Sequence, residues 1–340
     1  MTLTLHKEST FLLKQSKNLL AFSGGLDSSA LFFLLMEADI PFDMAIVDYQ
    51  KRPQSALEVA YAKELGSQYK KSVYVKMAQA EERNFEASAR KIRYDYFIEL
   101  CHTYGYESVI TAHQLNDRLE WFLMQFTKGA GLPELLGIDF IAREADYTLV
   151  RPMLAISRDE ITDYLQHNSI RFFEDQTNQE LNQTRNFFRH TFSQPLINAY
   201  RHGIEKSFTY LRSDADALHI AAPYRKIDAL TLIQSRTALS DIREIDYHLK
   251  RAGYLLSSAQ KEEITRTEDC VIGGKIAVVI ADGVIYMAPY NNNPMSKKSK
   301  EAYRTEGIPP KIRPYLEGKS IALHAVLEAR DFILNSTHIR

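Results

Sequence analysis

"LLAFSGGLDSSALFFLL", residues 19–35, decides the reading of this chain. Two apolar runs are joined by Ser23-Gly24-Gly25-Leu26-Asp27-Ser28-Ser29, a turn of two glycines, three hydroxyls and one carboxylate. The first run predicts a buried strand over 18–22 and the second a helix over 28–38. A turn at the carboxyl end of a strand, feeding a helix, presents backbone N–H groups and a helix N-terminus to whatever lies above it. Phosphate is the natural guest. Gly24 and Gly25 let the backbone curl and approach a ligand without a Cβ in the way. Ser23 and Ser28 add hydroxyl donors. Asp27 is the odd member, because a carboxylate beside phosphates repels them unless a cation lies between, which suggests Mg²⁺ chelated with a nucleotide. The loop lacks the lysine of GxxxxGK[ST] and is not a Walker-type loop. The plainer alternative is a simple turn in which Asp27 and Ser28 cap the helix.

Outward from the loop the chain alternates. Strands are expected at 42–49, 70–77 and 107–112, with a fifth at Tyr147–Val150. Helices are expected at 55–66, 85–105 and 115–129. Such alternation predicts βαβ units, that is, an α/β fold with a doubly wound parallel sheet and ligands at the carboxyl ends of the strands. Residues 157–222 read as mostly helical, and 227–290 return to mixed α and β. "KIAVVIADGVIYMA" (275–288) is a hairpin turning at Asp282-Gly283. "NNNPMSKKSK" (291–300) is polar and reads as a linker.

At 340 residues, 45% hydrophobic and 25% charged, the chain has room for two domains. Cys101 and Cys270 lie far apart, so neither a disulfide framework nor a zinc spacing is present, which suits a reducing compartment. No basic region followed by an apolar stretch opens the chain, and the apolar neighbourhood at 19–36 is broken by Asp27. A cytoplasmic protein without membrane contact is therefore the expectation. A net charge of −1 does not advertise nucleic-acid binding, so any such contact must come from a local patch.

Ser-Gly-Gly-x-Asp-Ser after a first strand resembles the phosphate loop of the N-type ATP pyrophosphatases, the PP-loop superfamily. Four later stretches narrow the resemblance to the tRNA(Ile)-lysidine synthetase family. They are "NFEASARKIRYDYF" (84–97), "TAHQLNDRLEWFLMQFTKGAGLPELLGI" (111–138), "RPMLAISRDEI" (151–161) and "FEDQTNQELNQTRNFFRH" (173–190). Weaker likeness continues to the C-terminus. Three positions depart from the family pattern. Its paired aspartates are Asn116-Asp117 here, its Arg-Gly is Lys128-Gly129, and "IVDYQKR" after the second strand has no histidines.

The resemblance implies a Rossmann-like PP-loop catalytic domain over 1–195, then a helical linker and a smaller α/β middle domain over 196–292. A short basic segment over 293–340 would contact tRNA. It implies ATP and Mg²⁺, the minor isoleucine tRNA with a CAU anticodon, and free L-lysine, with no protein partner evident. ATP would adenylate the 2-carbonyl oxygen of the wobble cytidine, and lysine would displace AMP. Ser23, Gly24, Gly25, Leu26, Asp27 and Ser28 would bind ATP, with Asp27 also holding the metal. The candidate catalytic residues are Asp27, Arg90, His113, Asp117, Glu120 and Arg185. Asp117 and Glu120, three apart on a helix, would handle lysine or metal, and Arg90 and Arg185 would contact phosphate or substrate.

Plainer readings stand beside these. Asp117 and Glu120 could be a solvated face with Arg118, Arg90 could pair with Glu86, and His113 could be a satisfied strand-end histidine. Trp121 and Phe122 read better as helix packing than as a base platform. The basic run 185–226 is equally an ordinary helix face or a tRNA-backbone track. A tRNA thiolase would share the loop but needs reactive cysteines. A synthetase of small amides would not need the additions after residue 195, and a non-catalytic nucleotide- or RNA-binding module would not need the acids.

Overall fold

The computed structural model describes residues 3–50, 54–79, 85–174, 184–218 and 222–336. The D-x-T-N part of the fourth motif, at 175–178, lies outside them. The chain divides into two compact units, Met1–Leu218 and His219–Arg340.

The first unit runs α1 (Lys7–Lys14), β1 (Asn18–Ala21), α2 (Leu26–Glu37), β2 (Asp43–Asp48), α3 (Gln54–Tyr69), β3 (Val73–Met77) and α4 (Phe85–Tyr104). Then come β4 (Ser108–Ile110), α5 (Leu115–Phe126), α6 (Leu132–Leu135), β5 (Ile141–Arg143), β6 (Thr148–Val150) and α7 (Arg158–His167). A last helical arm comprises α8 (Thr184–Phe188), a π-helical turn (Arg189–Ser193) and α9 (Gln194–Leu218). The sheet order is β3-β2-β1-β4-β6-β5. All neighbours are parallel except the edge strand β5, which runs antiparallel to β6.

Successive strand residues alternate between two cores, as period 2 demands. Leu20, Met44, Ile46, Ile110 and Val150 face α1, α2, α3 and α7. Leu19, Ala45, Val109 and Leu149 face α4. A sheet covered on both sides explains the near-continuous apolar strands. Helix α2 is apolar on nearly every side, with Ala30, Leu31, Phe32, Leu34 and Leu35 buried. Because β2 lies on one side of β1 and β4 on the other, the loop after β1 opens at the point where strand order reverses.

The second unit holds β7 (Tyr224–Ile227), β8 (Leu230–Gln234), α10 (Ala238–Arg251), α11 (Ser258–Thr267), β9 (Asp269–Ile272), β10 (Ile276–Ala281) and β11 (Val284–Pro289). It ends in α12 (Lys297–Thr305), α13 (Arg313–Gly318) and α14 (Leu323–Asn335). Its sheet, β7-β8-β11-β10-β9, is antiparallel throughout. The β10–β11 hairpin turns at Asp282 and Gly283, whose φ values of 50° and 76° are what a two-residue turn of this hand requires.

These boundaries differ from those expected along the chain. Residues 196–218 belong to the first unit, because Ile197 and Phe208 pack on Leu115, Leu119 and Leu136. Nor do residues 293–336 form a separate tail. Tyr303, Ile308, Ile312, Tyr315, Leu316, Val326 and Ile333 are buried against the sheet face made by Leu230, Leu232, Val279 and Tyr286. Charged residues on amphipathic helices gave that segment its basic look, while its apolar positions close a core.

Candidate functional site

The loop between β1 and α2 is shaped by its glycines and serines. Gly24 has φ of 73°, and its carbonyl accepts from the Phe173 N–H at 2.9 Å and the Ser29 hydroxyl at 3.3 Å. The Ser23 and Ser28 hydroxyls meet at 3.0 Å. Gly25 is the N-cap of α2 and has no side chain to satisfy the first turn, so the amides of Leu26, Asp27 and Ser28 are left for an anion.

Asp27, in that first turn, has a buried Oδ1 with no hydrogen-bond partner among the described residues. Burial pushes its carboxyl up to about 7; the Asp117 and Glu120 charges add to the rise, against Arg158 and Arg189. An orphaned carboxylate oxygen beside a phosphate cradle fits a hard cation. Among the described residues no three His, Cys, Asp or Glu could hold a metal ion on their own. Mg²⁺ tolerates this, because it is usually held by one or two carboxylates with phosphate and water completing its shell.

Helix α5 delivers the acids. Gln114 caps it, and Asp117 closes the capping box by accepting the Gln114 N–H at 3.0 Å through Oδ2. One carboxylate oxygen therefore builds the helix start, and the other faces the site. There Asp117 Oδ1 accepts from Arg185 Nη2 at 2.7 Å. Glu120, only 1% exposed, accepts from Arg185 Nε at 3.1 Å and Arg189 Nε at 2.7 Å. Burial opposes ionisation of Asp117, but Arg185, with His113 and Arg189 behind it, holds the carboxyl below its ordinary range. The pair is not a solvated face. Each guanidinium uses its Nε–Nη2 edge on carboxylates, and among the described residues Nη1 has no hydrogen-bond partner.

His113 follows β4 at the carboxyl edge, and its Nδ1 lies 2.9 Å from the Thr111 hydroxyl. Burial lowers its pKa to about 4; Asp117 opposes the fall, and Arg151, Arg185 and Arg90 add to it. The imidazole is neutral at pH 7. Arg90 makes no hydrogen bond to the cluster among the described residues, though its charge is felt at His113 and Arg151. It stacks over Tyr94 at 4.5 Å and has no ion pair among the described residues, Glu86 included. Trp121 donates to the Glu134 carbonyl at 2.8 Å, and Phe122 packs edge-on to Phe208 at 5.6 Å, so both serve packing.

Asp27, His113, Asp117, Glu120 and Arg185 are thus brought to one place from three parts of the chain. Sequence reading passed over Arg189, Arg158 and Arg151 as site residues. Arg189 was legible as the i+4 neighbour of Arg185, on the same helix face. Asn116, fully buried, donates Nδ2 to Gln194 Oε1 at 2.8 Å and accepts the Arg158 N–H at 3.1 Å through Oδ1. It ties α5 to the starts of α7 and α9, and the Nδ2 bond is one that an aspartate could not donate.

The family profile described as a PP-loop domain matches residues 2–196. The tRNA(Ile)-lysidine synthase of Campylobacter jejuni is 39% identical over 316 residues, which cover 93% of this chain and 97% of that protein. The enzymes of that name from Wolinella succinogenes and Helicobacter pylori are each 38% identical, covering 89% of this chain and 93% and 90% of theirs. Among solved structures, the U34-tRNA thiolase NcsA of Methanococcus maripaludis shares the fold, with a TM-score of 0.50 and 15% identity. That match covers 64% of this chain and 80% of the thiolase. With a PP-loop domain over more than half its length and relatives at 38–39% identity over about nine-tenths of it, the chain belongs to the tRNA(Ile)-lysidine synthase family.

Proposed function

We propose that this protein joins lysine to C2 of the wobble cytidine in the CAU anticodon of the minor isoleucine tRNA, consuming ATP, and so shifts decoding from AUG to AUA. The observation that carries the reading is the meeting of the phosphate loop, the orphaned Asp27 Oδ1 and the Asp117–Glu120–Arg185–Arg189 cluster at one carboxyl edge. In the first step the cytidine O2 attacks the α-phosphorus of ATP and pyrophosphate leaves. The loop amides, the Ser23 and Ser28 hydroxyls and the guanidinium groups of Arg185 and Arg189 would receive the charge that builds on phosphate oxygens. Asp27 would hold a Mg²⁺ arriving with ATP, an ion that supplies charge neutralisation on the departing pyrophosphate. In the second step the lysine ε-amine attacks C2, AMP leaves with the oxygen, and the new C–N bond sheds a proton. Asp117 and Glu120 would orient the amine, and neutral His113 would be placed to accept that proton.

Both cysteines are buried, and burial pushes the Cys101 thiol up to about 11, which is poor ground for sulfur transfer. The test is mass spectrometry of the tRNA after incubation with ATP, Mg²⁺ and labelled lysine. Lysidine is expected, and a sulfur-containing nucleoside would replace this reading with a thiolase. Glu120→Gln is expected to raise the KM for lysine far more than that for ATP.

A further inference from the structure

The arginines of the helical arm between 185 and 212 are turned inward or paired. Arg185 and Arg189 grip Asp117 and Glu120, Arg201 pairs with Glu160 and Glu205, and Arg212 with Asp139 and Asp216. The arm therefore offers no row of free arginines to an RNA backbone. Beside exposed polar residues such as His202 and Lys206, its surface carries exposed aromatic rings. Phe187 is 45% and Phe192 40% exposed, their rings meeting edge-on at 5.7 Å, with Phe188 against Phe192 at 5.5 Å. Residues five apart lie on different sides of an α-helix. The π-helical turn Arg189–Ser193 brings this pair together, and such turns concentrate at functional sites.

We infer that Phe187 and Phe192 form a stacking platform for an unpaired base of the substrate's anticodon loop. This rests on the tRNA-ligase reading and specifies its contact with RNA. The platform occupies the same two turns as Arg185 and Arg189, whose side chains enter the phosphate-loop site. Phe187, two residues from each, lies on the far side of those turns, so a base held there is a neighbour of the reacting cytidine, one helix width from the chemistry. A cytidine whose O2 must reach a phosphorus atom leaves its own stack, and its neighbours lose a face as well. Exposed aromatic rings replace that lost stacking and accept any base. Because the arm's arginines are already neutralised, the contact adds affinity without counterion release.

The experiment uses the full chain with an anticodon stem-loop carrying 2-aminopurine beside the wobble cytidine. Binding to the wild-type protein quenches the fluorescence. The double variant Phe187→Ala/Phe192→Ala loses the quench and raises the KM for tRNA about tenfold or more, the scale of one or two lost base–aromatic stacks. Its KM for ATP, melting midpoint and slope of log affinity against log salt stay at wild-type values. Phe192→Trp retains the quench. Absence of quenching in the wild type overturns the platform, as does a double variant with unchanged tRNA KM or a lowered melting midpoint. A changed salt slope overturns it in favour of phosphate contacts. A wild-type protein that makes no lysidine defeats the ligase reading instead, whatever the fluorescence does.

Discussion

Asp27 combines a functional position with an energetic cost, and the two separate under pH. Its carboxyl sits at about 7, above its ordinary 3.8, because burial and the acids of α5 penalise the charge. Between those values the folded chain keeps a proton that the unfolded chain has released. Stability from this group is therefore fully present below pH 4 and lost as pH rises through 7. Asp27→Asn should abolish ATP-dependent pyrophosphate release and yet melt higher than wild type at pH 8 in metal-free buffer, with the two curves converging towards pH 4. Thermal melts by circular dichroism decide this, and a variant less stable at pH 8 would contradict the burial argument. Arg189 shows the reverse balance. Arg189→Ala leaves Glu120, 1% exposed, with Arg185 alone, and should cost about 1.5–3 kcal/mol in urea unfolding, the scale for lost hydrogen bonds to a charge that keeps one partner. Arg189→Lys restores the charge without the two-pronged geometry and should recover only part of the loss.

Elements were legible where local chemistry punctuates them. The Ser157 hydroxyl accepts from the Glu160 N–H while Glu160 reaches back to the Ser157 N–H, so α7 begins where "SRDEI" predicts. Helix α4 stops at Gly105, with φ of 69°, where its glycine predicts. Less legible was what holds one element to another. The bonds of Asn116 to Gln194 and to the Arg158 N–H join three helix starts that are far apart in sequence. Asn116→Asp removes the donor to Gln194 and buries a charge. A loss of about 1–3 kcal/mol in urea unfolding is expected from the unsatisfied partner. Equal stability of the two proteins would show that Gln194 simply reverses its amide.

For the whole molecule, the decisive fact is that helices α12–α14 cover one face of the second sheet. Deleting residues 293–340 would expose Leu230, Leu232, Val279, Val284 and Tyr286 to water. The second unit should then lose its near-UV signal and bind ANS, while a melt of the first unit persists. A cooperative second unit after the deletion would mean that those helices are dispensable cover. Charge on these helices is better tested by substituting exposed Lys297, Lys298 and Lys300, which leaves the core intact.

The sequence by itself determined the loop, the βα alternation and the family. Each is written in contiguous residues whose periodicity or backbone freedom is a local property: Gly24 must allow positive φ, and strands buried on both faces must be apolar. Only the tertiary structure decided that Arg185 and Arg189 close on Asp117 and Glu120, partners 65 to 72 positions away. It alone decided that Arg90 stacks on Tyr94, and that an apparently basic tail is half of a core. Periodicity states which side of an element is apolar. Which buried charge meets which depends on strand order and helix placement, and these are settled by packing across the whole unit.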